Sequence, residues 1–295
     1  MRRVTVALWG CGRVGRATGE LLAGAGYPLE WFCDASSSKS AWLAEHLGTG
    51  QVLHTRPEPP HHPEVDVIID ASGDRGLLPY WRETLRSGRA RYVFLTRREP
   101  AADAQIMMGM PGEPQVAQEG KVTAMGSCTG NAFVPLVSHI AHDFPVDVVS
   151  VRVLHPLKQH EIFELRSIET ALERSVADCN PELAAICSAE SMELPVERGM
   201  ALDVALTFAR EVRREELRAW FASLEERYPF FVLSTVPETS STITGNTASA
   251  VIDGGWRILD NHLRMLLWQD NELGVSARIF DLLETIQCQM TTPQS

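Results

Sequence analysis

One short segment constrains this chain more than any other: Gly10-Cys11-Gly12-Arg13-Val14-Gly15, which follows directly on the apolar run from Val4 to Trp9. Glycines that end a buried strand and open a helix allow a tight turn. They also let a pyrophosphate approach the helix N-terminus, where unpaired N–H groups favour an anion. Asp34 follows the next apolar run, Leu29 to Cys33, about 20 residues further on, where a carboxylate accepts hydrogen bonds from an adenosine ribose. Strand, turn, helix, strand and acid in this order predict a dinucleotide site resting on Gly10, Gly12, Gly15 and Asp34. The Asp34 charge repels a 2′-phosphate, so NAD is expected rather than NADP. Ser36, Ser37, Ser38 and Lys39 read as a polar loop.

The alternation continues downstream. Val65 to Ala71 and Tyr92 to Thr96 read as further buried strands, with helices over Arg13 to Ala25 and Leu77 to Ser87. This order predicts an α/β fold with a parallel sheet covered by helices on both faces. After residue 128 the texture changes: Val149, Val151 and Val153 alternate with Ser150 and Arg152, as in a half-covered, mostly antiparallel sheet. Ala201 to Phe208, Phe230 to Val236, Ala248 to Ile252 and Leu263 to Trp268 read as strands of that sheet, and Arg214 to Tyr228 as an amphipathic helix. A final helix from Asn271 to Gln287 sets Val275, Ile279, Leu282, Leu283 and Ile286 on one stripe.

At 295 residues the chain is long enough for about two domains. Its net charge of −11 is spread along the sequence, which argues against nucleic acid or a membrane surface as partner, because both require a concentrated basic face. No apolar run approaches the ~18 residues of a membrane span, and Met1-Arg2-Arg3 leads straight into a strand without a cleavable leader. A cytoplasmic protein is expected. Six cysteines without a CxxC pair predict reduced thiols, no metal site and no disulfide framework. The proline-rich segment Arg56 to Pro63 reads as a surface loop, and its His61 and His62 as exposed histidines with no third ligand nearby.

Ser127-Cys128-Thr129-Gly130-Asn131 leads into the apolar-periodic stretch Phe133 to Ile140, which places Cys128 at or just before a helix N-terminus. The positive end of a helix lowers a thiol pKa and favours the nucleophilic thiolate. Without that context a cysteine reads as a small buried apolar residue, as the other five do here.

The chain resembles the glyceraldehyde-3-phosphate dehydrogenase family. The resemblance spans nearly its whole length, on Gly10 to Arg16, Ala71-Ser72-Gly73, Ala102-Asp103-Ala104 through Met108-Gly109, Ser127 to Asn131, and Trp268-Gln269-Asp270-Asn271-Glu272-Leu273-Gly274. It implies a Rossmann NAD-binding domain formed by residues 1–127 with 271–295, and an α+β catalytic domain over 128–270. It also implies that Cys128 attacks an aldehyde and ends as a thioester, that His155 is the base, and that phosphate releases the acyl group. For NAD, the family pattern falls on Arg13 and Val14 at the pyrophosphate turn, Asp34 at the ribose, Ser72, Thr96, and Asn271 near the nicotinamide amide. Val275 stands where the family carries an aromatic residue.

The anion-binding part departs from the family. Ser127, Thr129 and Thr170 keep hydroxyls used there around phosphates, but Lys158 and His160 replace two threonines, and Glu193 stands where the family has an arginine. Exchanging a guanidinium for a carboxylate costs an anion site several kcal/mol unless another cation compensates. Lys158 is the candidate, as an anion ligand or as partner of Glu193, although the two also read as an exposed ion pair of little weight. The expected substrate is a small aldehyde other than glyceraldehyde 3-phosphate, with phosphate or water resolving the thioester. The segment between His155 and Thr170 is much shorter than the family loop that packs near a neighbouring subunit's cofactor, so a homo-oligomer is expected without commitment to a tetramer. A reading from another class stays open: a catalytically idle NAD-binding protein with a regulatory or scaffold role.

Overall fold

The computed structural model describes residues 2–53, 62–112, 115–156, 166–168 and 170–291. The chain divides into two compact units: Met1–Ile106, Gln115–Gly126 and Val275–Ser295 form the first, Met107–Pro114 and Ser127–Gly274 the second.

The first unit comprises β1 (Val6–Trp9), α1 (Arg13–Gly24), β2 (Leu29–Cys33), α2 (Ser37–Leu47), β3 (Gln51–Leu53), β4 (Val67–Asp70), α3 (Leu78–Arg86), β5 (Tyr92–Leu95), β6 (Ala104–Gln105) and β7 (Val122–Ala124). Its strands pair in parallel in the order β3-β2-β1-β4-β5-β7-β6. β1, β4 and β5 are buried along their whole length, as a parallel sheet covered on both faces requires. The strand order reverses between β1 and β4, and open α/β sheets bind ligands at the carboxyl ends of strands beside such a reversal. The glycine turn leaves β1 there.

Around Trp9 the core is aromatic: Trp31 and Trp81 pack edge-on against it with ring centroids 6.3 and 5.0 Å away. Asp70, fully buried at the end of β4, accepts Trp81 Nε1 and Arg97 Nη1 at 2.8 Å and the Ser72 hydroxyl at 2.6 Å. A carboxylate without solvent persists only with such donors.

The structure corrects two expectations in this unit. Ser37, Ser38 and Lys39 do not form a loop; they open α2, which ends on Gly48 in the left-handed conformation at φ 63°. α2 buries only Ser40 and Leu43, a stripe too narrow for hydrophobic periodicity to reveal. His62 is not exposed. It is 1% accessible, with its ring 5.3 Å from that of Trp31 and Nε2 3.2 Å from Thr84 Oγ1. His61 lies outside the described residues.

Burial holds the His62 pKa below its ordinary 6.5. The unfolded chain therefore binds a proton that the folded chain resists, and stability present above about 6.5 is lost as pH falls through the lower folded value. The urea midpoint is expected to be lower at about pH 5 than at about pH 7.5, with a smaller drop in His62→Gln. An equal drop in the variant would remove His62 from the account.

The first helix of the second unit is α4 (Cys128–Asp143), which is buried on all sides from Thr129 to Ile140. There follow β8 (Val146–Pro156), β9 (Arg166–Ile168), α5 (Leu172–Cys179), α6 (Pro181–Ile186), β10 (Cys187–Leu194), β11 (Met200–Phe208), α7 (Arg214–Arg227), β12 (Phe231–Leu233), α8 (Ser240–Ile243), β13 (Ala250–Ile252), β14 (Arg257–Leu259) and β15 (His262–Gln269). The sheet runs β12-β13-β15-β11-β8-β10-β9, with β14 on β15. It is mixed: β8 with β10 and β12 with β13 are parallel, the other pairs antiparallel. β10 carries Ser188, Glu190, Ser191 and Glu193 and offers no apolar run to read. It enters the sheet because α5 and α6 provide the crossover that a parallel partner of β8 needs.

The last helix, α9 (Leu273–Thr291), starts after Asn271 rather than on it. Asp270 Oδ1 accepts the N–H groups of Glu272 and Leu273 at 3.0 and 3.1 Å, so the helix head is capped and Asn271 stays in the turn. From Val275 onward α9 belongs to the first unit, where Val275, Ile279, Leu282, Leu283 and Ile286 are buried and Ser276 Oγ lies 2.9 Å from Thr18 Oγ1. Among the described residues, no helix is long and apolar enough to cross a membrane.

Candidate active site

In the first unit two glycines shape the turn and a third leaves it open. Gly10 has φ 93°, and a Cβ on it would lie 2.4 Å from Ser72 N; one on Gly15 would lie 1.9 Å from Gly10 O. Neither position admits a side chain. The would-be Cβ of Gly12 meets nothing within 4 Å, and Gly12 precedes α1 without a side-chain cap. Open space beside uncapped amides is a cradle for a phosphate. Asp34 Oδ2 accepts Cys11 N at 2.6 Å and Oδ1 accepts Ser36 N at 2.8 Å, which leaves each oxygen a further lone pair for a ribose hydroxyl. These residues fit a dinucleotide.

The remaining expected cofactor positions are less uniform. Arg13 is exposed and Val14 half-buried in the first turn of α1. The Ser72 hydroxyl is committed to Asp70, and Thr96 follows β5 with its N–H 3.0 Å from Asp70 O. Burial, then the neighbouring Asp34 and Cys33, push the Cys11 thiol up to about 12, so the cysteine inside the turn stays protonated.

In the second unit Cys128 is the first residue of α4, and Ser127 caps that helix by accepting Gly130 N at 3.0 Å. Cys128 Sγ lies 4.0 Å from His155 Nε2, and His155 Nδ1 lies 3.0 Å from Pro156 O. A carbonyl only accepts, so Nδ1 carries a proton and Nε2 faces the sulfur. His155 reaches this point because it continues the inward set Val149, Val151 and Val153 of β8 to the strand's end.

Hydroxyls cluster at the head of α4: Thr129 Oγ1 is 3.1 Å and Ser175 Oγ 3.4 Å from Ser127 Oγ. Ser175 is fully buried on α5 and was not expected from sequence, since one serine within a short helix carries no local signal. Thr170 Oγ1 accepts Leu172 N at 3.1 Å at the start of the same helix. Glu193 is buried in β10, 4% exposed. Lys158 and His160 lie outside the described residues.

Asn271 is buried, and its Oδ1 has no hydrogen-bond partner among the described residues, an acceptor suited to a carboxamide N–H. Both flanking acids are held by Arg198, whose Nη2 is 2.9 Å from Glu272 Oε2 and 3.6 Å from Asp270 Oδ2. Arg198 was also missed, because only the fold brings the β10–β11 turn to this segment. Among the described residues no group of three or more histidine, cysteine, aspartate or glutamate side chains could hold a metal. All six cysteines are free, and burial pushes Cys187 up to about 11.

Comparison with known proteins places this geometry in context. A glyceraldehyde-3-phosphate dehydrogenase of Kitasatospora aureofaciens is 26% identical over 241 residues, covering 75% of this chain and 72% of that protein. Glyceraldehyde-3-phosphate dehydrogenase 2 of Bacillus subtilis (strain 168) is 23% identical over 252 residues, covering 79% and 74%. The relationship is distant and glyceraldehyde-3-phosphate dehydrogenase-like. A glyceraldehyde-3-phosphate dehydrogenase 1 of Candida glabrata extends it at 21% identity over 244 residues, covering 76% and 73%. No family model matches the chain. The parallel sheet and the second, mixed sheet agree with such a fold.

Proposed function

We propose that the protein is an NAD-dependent dehydrogenase that oxidises a small aldehyde through a thioester on Cys128. The observation that carries this reading is the 4.0 Å approach of His155 Nε2 to a thiol at the head of a 16-residue helix. The thiol stands at the helix N-terminus, and an imidazole facing it accepts or returns a proton. The relatives' printed activity supports the same chemistry.

Gly12, the head of α1 and Asp34 would hold the dinucleotide. When bound, the nicotinamide supplies the hydride acceptor. Cys128 Sγ adds to the aldehyde carbon, its N–H and the His155 ring stabilise the oxygen that gains charge, and His155 Nε2 takes the hydroxyl proton as the carbon is oxidised. Phosphate or water then releases the acyl group from sulfur.

Incubating the protein with NAD and a panel of small aldehydes, with and without phosphate, and following NADH absorbance tests the reading and identifies the acyl acceptor. Dinucleotide binding without turnover on any aldehyde would instead leave an NAD-binding regulatory or scaffold protein. His155→Gln is expected to lower kcat by about 10²- to 10⁴-fold with a small change in KM, the range for loss of a positioned general base. Unchanged kcat at neutral pH would remove His155 from that role.

A further inference from the structure

After β4 the chain runs from Ala71 to Gly76 without a single buried residue, and Ser72 to Gly76 are exposed. A stretch with so little apolar burial keeps one shape only through its hydrogen bonds. Those bonds lead to two charged side chains. Asp70 Oδ1 accepts Ser72 N at 2.9 Å and the Ser72 hydroxyl at 2.6 Å, and the Ser72 oxygen in turn accepts Asp74 N at 3.2 Å. From the end of β5 Arg97 reaches across with both guanidinium arms: Nη1 donates to Asp70 Oδ2 and Nη2 to Asp74 O, each at 2.8 Å. Arg97 therefore ties the far part of the segment to the fully buried carboxylate at its start.

The place of this segment matters because the glycine turn rests on it. A Cβ on Gly10 would lie 2.4 Å from Ser72 N and 2.5 Å from Ala71 C, and one on Gly15 3.4 Å from Ala71 Cβ. Packing this close leaves no slack, so a displacement of Ala71 or Ser72 displaces the turn. Trp9 and Asp70 are register partners and share a face of the sheet, where both meet Trp81 of α3. The Arg97 guanidinium joins Asp70 on that face, whereas α1 covers the opposite one, with the would-be Cβ of Gly19 3.0 Å from Leu8 Cδ1. Arg97 thus acts on the turn through backbone. We propose that Arg97 is a positioning residue of the dinucleotide site: by holding Ser72 to Asp74 in place it keeps the glycine turn in the shape that admits a pyrophosphate. This rests on the dinucleotide reading above and adds to it a residue outside the turn motif.

Arg97→Met and Asp70→Asn/Arg97→Met are compared with the wild type. The double variant carries the comparison if the single one, left with a buried unpaired carboxylate, does not fold. NAD affinity is measured by titration calorimetry at a temperature where circular dichroism shows each protein fully folded, so that a residue which only adds stability leaves it unchanged. The Kd is expected to rise about tenfold or more in both variants. Without NAD, hydrogen exchange followed by mass spectrometry is expected to quicken about tenfold over Ser72 to Gly76, while β5 and β7 keep their wild-type rates. Arg82→Met, which loses a guanidinium–carboxylate contact with Asp103 elsewhere in the same unit, is expected to change neither readout.

A folded Arg97 variant that binds NAD within about threefold of the wild type overturns the proposal. Weakened binding with unchanged exchange over Ser72 to Gly76 overturns it as well, as does an equal loss of affinity in Arg82→Met. Wild-type protein that binds no NAD would overturn the dinucleotide reading and this one together, whereas tight binding that survives loss of Arg97 overturns this one alone.

Discussion

Cys128→Ala is expected to reduce aldehyde-dependent NADH formation by a factor on the order of 10⁴ or more, because a nucleophile that carries the acyl group has no substitute in the site. The loss should appear in kcat. The side chain is half-buried in the first turn of α4, so removing one sulfur costs about 1 kcal/mol of stability or less, and the variant should unfold near the wild-type midpoint. Alkylation provides an independent readout. Burial keeps Cys11 near 12 and Cys187 near 11, so neither competes for iodoacetamide at neutral pH. The exposed Cys288 supplies an ordinary slow background. A single fast-reacting thiol should vanish in the variant. If the fast phase persists, or if turnover survives within tenfold or so, the thioester reading fails.

The second large effect separates glycines that look equivalent in the motif. Gly15→Ala is expected to destabilise the protein by about 3 kcal/mol or more, since its Cβ would sit 1.9 Å from the Gly10 carbonyl oxygen and backbone must move to admit it. Gly10→Ala should be comparably harmful, given φ 93° and a 2.4 Å approach to Ser72 N. Gly12→Ala should behave in the opposite way. Nothing lies within 4 Å of its Cβ, so stability is expected to hold within about 0.5 kcal/mol while NAD binding weakens by about tenfold or more, because a methyl group occupies the phosphate approach. Thermal unfolding with and without NAD distinguishes the three. Gly12→Ala binding NAD as tightly as wild type would remove the turn from the cofactor site.

Most elements with strong periodicity were legible from the residues. α1, α3, α7 and the strands β1, β2, β4, β5, β8, β11 and β15 fall within a few residues of where apolar spacing predicts them, since each buries a regular face or a continuous run. α2 and β10 were not legible, because one buries two residues and the other carries two glutamates and two serines. His62 was misread for a related reason: proline composition describes a loop but says nothing about an aromatic pocket formed by Trp31 and Tyr80 around its last histidine.

The same division runs through the candidate site. The sequence by itself determined the α/β organisation, the glycine turn with its acid, and a cysteine at a helix start, because each is a local pattern whose chemistry depends on neighbours in the chain. Tertiary structure alone decided that His155 meets Cys128 at 4.0 Å, that Ser175 and Arg198 join the site, and that Glu193 is buried across the β8–β10 register from His155. Those facts depend on strand register and on crossovers of tens of residues. A one-residue shift of β10 would carry Glu193 to the other face of the sheet.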